Sequence, residues 1–341
     1  MWKPRVPALQ QRLWDKFVKS PFLVATQGAA GNRIFPSVAA CLQTEVPVLV
    51  PCFNNPTYLR NMVTQLRALR LRNIIIVDNA STYPPMVECL SSLSRELSVV
   101  SLTENKGARH ISLDEKTYAL LPQYFCVTDP DLEFNAQLPS DFLVELVCLT
   151  EKHAVGKAGF SLDISDRSQL REDDFWIGGK EIKIWEWEEQ FWQEPLERLN
   201  GEDQVYRAPI DTTFAVYNKK YLNRENPYEA VRVAGKYTCR HLPWYKETLL
   251  PEDEETFYRR TARFAYYHKR GAEYALALLL NVHRRRPDLQ NAFPEVKDGE
   301  YSRLIDWALG VNARRWEDAD YEILRPYAKW YSIIGNKERI D

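Results

Sequence analysis

The chain has 341 residues, enough for two domains or one large domain with an appendage. Hydrophobic residues make up 45% and charged residues 27%, an ordinary composition for a well-cored globular protein and not for a disordered or fibrous one. A formal net charge of −2 excludes the basic footprint of a general nucleic-acid binder, so no nucleic-acid partner is expected.

The N-terminal extension, 1–45, contains QQRLWDKFVKSPFL, with Leu13, Trp14, Phe17 and Val18 at amphipathic spacing. It lacks the dense basic face of an interfacial helix and is expected to dock on the protein body, although a peripheral membrane contact stays open. The first residues lack the apolar stretch of a signal peptide, and no window reaches the length of a transmembrane helix. The six cysteines form no CxxC pair and fall in apolar runs, as buried free thiols of a reducing, cytoplasmic compartment do.

From residue 46 the pattern is regular. VPVLVPCF (46–53) is a continuous apolar run of the kind a buried parallel strand requires. Helical spacing follows over 56–70, with Pro56 suited to a first turn. NIIIVD (73–78) is a second strand, and STYPPMVECLSSLSRE a second helix after capping residues. LSVVSL (97–102) is a third strand and ISLDEKTYALL a third helix. QYFCVTD is a fourth strand, 139–153 a further helix and VGKAGFSLDI (155–164) another strand. This alternation predicts an α/β fold, a mostly parallel sheet flanked by helices.

In such sheets ligands bind beyond the carboxyl ends of the strands. Polar residues arrive there four times: Asn54, then Asp78 and Asn79, then Asn105 and Lys106, then Asp129 and Asp131. Alone, the Asp-Pro-Asp stretch reads as a turn. Four successive strand ends that deliver polar groups to one edge favour a site.

After residue 165 the pattern loosens into aromatic and acidic stretches. Ten Trp and eighteen Tyr are many, and aromatic residues serve both cores and carbohydrate sites. EDEETFYRRTARFAYYHKRGAEYALALLLNVHRRR (252–286) reads as a long helix or helix pair, acidic at its start and basic at its end. The tail, 287–341, is expected to be helical.

PCFNNPTYLRNMVTQL, IIIVDNAST, ENKGAR and FCVTDPDLEFN together resemble nucleotide-sugar-dependent glycosyltransferases of the GT-A fold, in particular family 2. The resemblance covers 46–245. It implies a Rossmann-like GT-A catalytic domain over 46–250, with a nucleotide-sugar half at 46–131 and an acceptor half at 132–250, followed by a helical region at 251–341. It implies a UDP-sugar donor, a saccharide or glycolipid acceptor and a divalent cation, Mn2+ or Mg2+.

By that resemblance Asp131 and His241 ligate the metal, and Asp129 contacts the ribose or the metal through water. Asp78 and Asn79 contact uracil or ribose, Pro51, Asn54 and Tyr58 line the base site, and Lys106 faces phosphate. Trp187, Trp244 and Tyr245 offer faces to the acceptor. Two residues compete as general base: Glu188 in IWEWEEQFW, flanked by Trp185 and Trp192, and Asp211 in APIDTTFAVY. Inversion by one displacement is inherited from the resemblance. Two other readings remain: a sugar-1-phosphate nucleotidyltransferase, for which QGAAGNR (27–33) is a faint phosphate loop, and a non-catalytic carbohydrate- or nucleotide-binding protein. Oligomeric state, sugar and linkage are not legible.

Overall fold

A computed structural model describes residues 37–107, 115–172, 174–177, 180–210, 213–224, 229–247, 250–261, 279 and 300–312. The amphipathic 10–23 segment, QGAAGNR, residues 262–278, the HRRRP stretch, most of the tail and Asp211 lie outside the described residues. The chain divides into two compact units. One takes Met1–Asp166, Glu189–Leu242 and Glu247–Leu250, the other Arg167–Glu188, Pro243–Lys246 and Pro251–Asp341.

The first unit is an α/β sheet protein. Helix α1 (Val38–Glu45) starts at Ser37, whose hydroxyl accepts from the Ala40 amide, one of the donors that a helix start leaves unpaired. Strand β1 (Val48–Cys52) is buried along its whole length. It lies between β2 (Ile74–Asp78) and β4 (Tyr124–Val127), parallel to both. Strand β3 (Ser98–Ser101) pairs parallel with β2 and is the exposed edge. Helices α2 (Pro56–Ala68), α3 (Pro84–Leu93) and α4 (Glu115–Leu120) fall in the connections between these strands, as the periodicity predicted. Pro56 and Pro84 open α2 and α3, where a missing N–H costs no hydrogen bond.

The sheet continues past β4. The order is β3-β2-β1-β4-β11-β6-β12-β10-β9, with β6 (Lys157–Leu162), β9 (Pro195–Leu199), β10 (Asp203–Arg207), β11 (Ala215–Asn218) and β12 (Ala230–His241). Strand β11 runs antiparallel between β4 and β6, and β10 runs antiparallel between β12 and β9. The sheet is therefore mixed and mostly parallel only on its first side. Sequence reading placed no strand at β9, β10 or β12, where the pattern loosens. It also passed over β5 (Leu132–Phe134), which pairs antiparallel with the far end of β12.

Strand β12 reaches that far by shifting register between Val233 and Thr238. Gly235 sits in the irregularity at φ +65°, and a Cβ there would collide with the Asp203 carboxylate. That carboxylate accepts instead from the Lys236 amide at 2.8 Å. A bulge of this kind bends a strand and re-aims the residues beyond it. His241, at the end of β12, is one of them.

Helix α5 (Phe142–His153) covers one face of the sheet and buries Phe142, Leu143, Leu146, Val147 and Leu149 among others. Between helix and sheet lies an aromatic cluster. Phe160 stacks on Phe214 at 5.1 Å and meets Phe134 edge-on at 5.4 Å, while Phe142 meets Phe214 at 5.6 Å. The cluster joins β5, α5, β6 and the start of β11 in one packed layer. All six cysteines are buried and none is in a disulfide, as expected.

The second unit contains the antiparallel pair β7 (Asp174–Ile177) and β8 (Lys180–Lys183), helix α6 (Ile184–Glu189), helix α7 (Glu252–Thr261) and helix α8 (Glu300–Asn312). Arg171 ties its pieces together: its amide donates to the Trp244 carbonyl, its Nε to the Tyr245 carbonyl, and its guanidinium pairs with Glu255 at 3.3 Å. Residues 167–188 and 243–246 cluster with the C-terminal region. Among the described residues no helix is long and apolar enough to cross a membrane.

Candidate functional site

The parallel order β3-β2-β1-β4 carries Lys106, Asp78, Asn54 and Asp129 to the carboxyl ends of adjacent strands, as the spacing predicted. Their side chains do different work there. Asn54 has left-handed φ (+52°), which asparagine tolerates better than most residues. Its Oδ1 accepts from the amides of Thr82 and Tyr83, at 2.7 and 2.9 Å, and its own amide donates to the Ser81 hydroxyl. Asn54 thus holds the loop after β2 and caps the entry to α3.

The neighbouring Asn55, which sequence reasoning passed over, is the contrasting case. It is buried at the head of α2, and its Oδ1 has no hydrogen-bond partner among the described residues. We expect Asn54→Ala to cost about 2–3 kcal/mol, from two lost hydrogen bonds and a strained αL alanine. Urea melts check this, and an unchanged midpoint would remove Asn54 from its structural role.

Asp78 is buried at the end of β2, and both its carboxylate oxygens face the Ser81 amide, at 3.2 and 3.4 Å. Burial pushes its carboxyl above the ordinary value, and the Ser81 contacts pull it back in part. Asn79 is also buried and accepts from the Lys106 amide at 3.3 Å, so it braces the loop after β3. In that loop Gly107 takes φ +78° and donates to Asn105. Pro51 and Tyr58 are buried within β1 and α2.

The DPD turn is where tertiary structure adds most. Asp129 is half-buried, while Asp131 is 6% exposed. Strand β5 follows the turn immediately and pairs with β12 so that Leu132 lies opposite His241. The Leu242 amide donates to the Asp131 carbonyl at 2.9 Å. Gln65 of α2 holds β5 from the other side, donating to the Leu132 carbonyl and accepting from the Phe134 amide. The result brings His241 Nε2, on a side chain 2% exposed, to 3.4 Å from Asp131 Oδ2. The two residues expected to share a metal ion therefore meet.

One carboxylate and one imidazole suit a divalent cation that takes its remaining ligands from substrate phosphates and water. Among the described residues no cluster of three or more acidic, His or Cys side chains is placed to hold a metal ion.

Asp211 is outside the described residues, but the segment leading to it is not. Two buried cations hold that segment. Arg232 Nε donates to the Pro209 carbonyl at 2.6 Å, and its guanidinium lies 4.4 Å from the Phe191 ring centre. Lys157 Nζ donates to the next carbonyl, Ile210, at 2.9 Å. Sequence reading singled out neither residue.

In the second unit, Glu188 is 1% exposed on α6, and Trp187 is half-buried beside it. Trp244 and Tyr245 are buried, at 5% and 4% exposure.

No curated protein matches the chain. Among similar solved structures, the mannosyltransferase PcManGT from Pyrobaculum calidifontis, in complex with GDP-Man and Mn2+, is 14% identical with 98% of each chain covered and a TM-score of 0.37. GalNAc-T7 with UDP, GalNAc and Mn2+ is 12% identical, covering 77% of this chain and 55% of that one, at TM-score 0.37. S. aureus TarS 1-349 in complex with UDP is 15% identical, covering 86% and 91%, at TM-score 0.32. Likenesses at this level carry no argument about the site. The sequence comparison is more direct. Residues 48–156, which span β1 to α5 and include Asp78, Lys106, Asp129 and Asp131, match the family described as Glycosyl transferase family 2. Over that stretch the chain is similar to glycosyl transferase family 2, the family its VDNAST strand end and DPD turn indicated.

Proposed function

We propose that the chain transfers a sugar from a UDP-sugar to a hydroxyl of a saccharide or glycolipid acceptor. The observation that carries this reading is the meeting of Asp131 and His241 at 3.4 Å, at the carboxyl edge of a region that matches glycosyl transferase family 2. Asp131 and His241 would hold Mn2+ or Mg2+, with Asp129 as a further contact. When bound, such an ion neutralises charge that develops on the departing diphosphate. Asp78 accepts hydrogen bonds from a uracil N–H or a ribose hydroxyl, and Lys106 meets phosphate as a point charge.

Glu188 or Asp211 takes the proton of the acceptor hydroxyl, which attacks the anomeric carbon on the side opposite the diphosphate and inverts it. Buried cysteines outside any disulfide suit a cytoplasmic setting, with the acceptor met in solution or at the inner face of a membrane.

The test is a thermal-shift screen of nucleotide sugars with and without Mn2+, followed by transfer assays, since a ligand that binds only the folded state raises its stability. Metal-dependent stabilisation by a nucleotide sugar supports the reading. The absence of both shift and turnover across the panel sinks it, and pyrophosphate release from a nucleoside triphosphate would replace it with nucleotidyl transfer. For the base, Glu188→Gln and Asp211→Asn should differ. The true base loses about 10²–10⁴-fold in kcat with donor affinity kept. Equal activity in both variants removes both assignments.

A further inference from the structure

Thr213 carries a buried hydroxyl that no group among the described residues pairs with. Its side chain is 5% exposed. Burying a hydroxyl without a partner costs about 1–3 kcal/mol, and nearly all such groups in native proteins are paired with protein, water or ligand. Valine has the same shape and would avoid that cost. The neighbouring Thr128 marks the difference, because its hydroxyl donates to the Asp129 carbonyl at 3.2 Å.

The place of Thr213 points to what completes it. It stands two residues ahead of β11, where Ala215 pairs with Val127 of β4 on one side and Gly159 of β6 on the other. The Phe160 amide donates to the Phe214 carbonyl at 3.0 Å, and a Cβ at Gly159 would collide with that same carbonyl. Because β11 runs antiparallel to β4, its start lies at the carboxyl end of β4, level with the DPD turn.

Along this edge the order of strands is β2, β1, β4, β11, and so Asp78, Asn54, Asp129 with Asp131, then Thr213. Strands are ~4.8 Å apart, so Asp78 and Thr213 are separated by roughly 14 Å. A nucleotide sugar is a linear series of base, ribose, diphosphate and sugar. With the nucleoside at Asp78 and the diphosphate at the DPD turn, the sugar falls one strand further on, at the start of β11.

We propose that Thr213 Oγ1 forms a hydrogen bond with a hydroxyl of the transferred sugar and so selects the donor. The inference rests on the nucleotide-sugar reading above and adds a sugar contact to it.

Calorimetry with Mn2+ tests it, using UDP against UDP-glucose, UDP-galactose and UDP-N-acetylglucosamine, and GDP against GDP-mannose. Thr213→Val is expected to bind the nucleoside diphosphate as the wild type does and to bind its nucleotide sugar about tenfold or more weakly, while Thr213→Ser restores the affinity. Its unfolding temperature without ligand should equal or exceed that of the wild type. Thr213→Ala gives the same comparison if valine impairs folding. A wild type that binds both ligands, with both hydroxyl-free variants indistinguishable from it, overturns the Thr213 contact alone and leaves water as the partner. A wild type that binds none of the panel overturns the nucleotide-sugar reading and this contact with it.

Discussion

Asp131→Ala should lower sugar transfer by about 10³-fold or more while leaving the fold intact. The expected loss is large because charge on a departing diphosphate needs a preplaced counter-charge, and removing such electrostatic stabilisation costs on the order of 10²–10³-fold even where a single donor is lost. Here the change removes a carboxylate of the proposed cation site, in which Asp131 Oδ2 faces His241 Nε2 at 3.4 Å. The fold should tolerate it. The turn is held through main-chain bonds, the Leu242 amide to the Asp131 carbonyl and β5 to β12, and alanine keeps these. Metal-free nucleoside binding at Asp78 should persist as well. Melting temperature, Mn2+ titration and transfer rate separate these effects. A variant with normal rate and normal Mn2+ dependence would end the metal assignment. One that simply unfolds would show that Asp131 is structural.

A second large effect is expected on stability. Phe160→Ala should cost about 3–5 kcal/mol, the usual range for truncating a fully buried phenylalanine. Phe160 is fully buried and stands at the centre of the aromatic layer, against Phe214, Phe134, Phe142 and Tyr237. Alanine would leave a cavity that rigid strands on either side cannot close. Because Phe134 belongs to β5 and Phe214 precedes β11, loosening this layer also frees the two segments that flank the DPD turn and Thr213. Loss of transfer should therefore appear below the melting temperature. Urea unfolding measures the stability change, and a loss under about 1 kcal/mol would mean the layer repacks.

How legible this was in the sequence differs between the two sides of the sheet. Strands β1 to β4, with β6, are short apolar runs separated by helical spacing, a pattern that only a parallel α/β arrangement satisfies. Strand β5 is three residues long and mixed in character, so nothing local distinguishes it from a loop; its partner β12 makes it a strand. Strand β9 exposes much of its length and β10 alternates buried with half-buried positions, so neither offers the continuous apolar run that marked the others. The Asn54–Asn55 pair shows a similar limit. Two adjacent asparagines look alike in sequence, and only the fold shows that Asn54 is spent on the Thr82 and Tyr83 amides.

By itself the sequence determined the parallel half of the sheet and the edge at which Asp78, Lys106, Asp129 and Asp131 arrive, because burial periodicity and turn chemistry are local. It also pointed to His241, through resemblance rather than spacing. Tertiary structure alone decided that His241 reaches Asp131, that Trp244 and Tyr245 are enclosed, and that the Thr213 hydroxyl lies buried at the same edge. Each of these depends on which distant strands pair and in what register. Pairing energy is shared across many residues, so no single stretch of the chain encodes it.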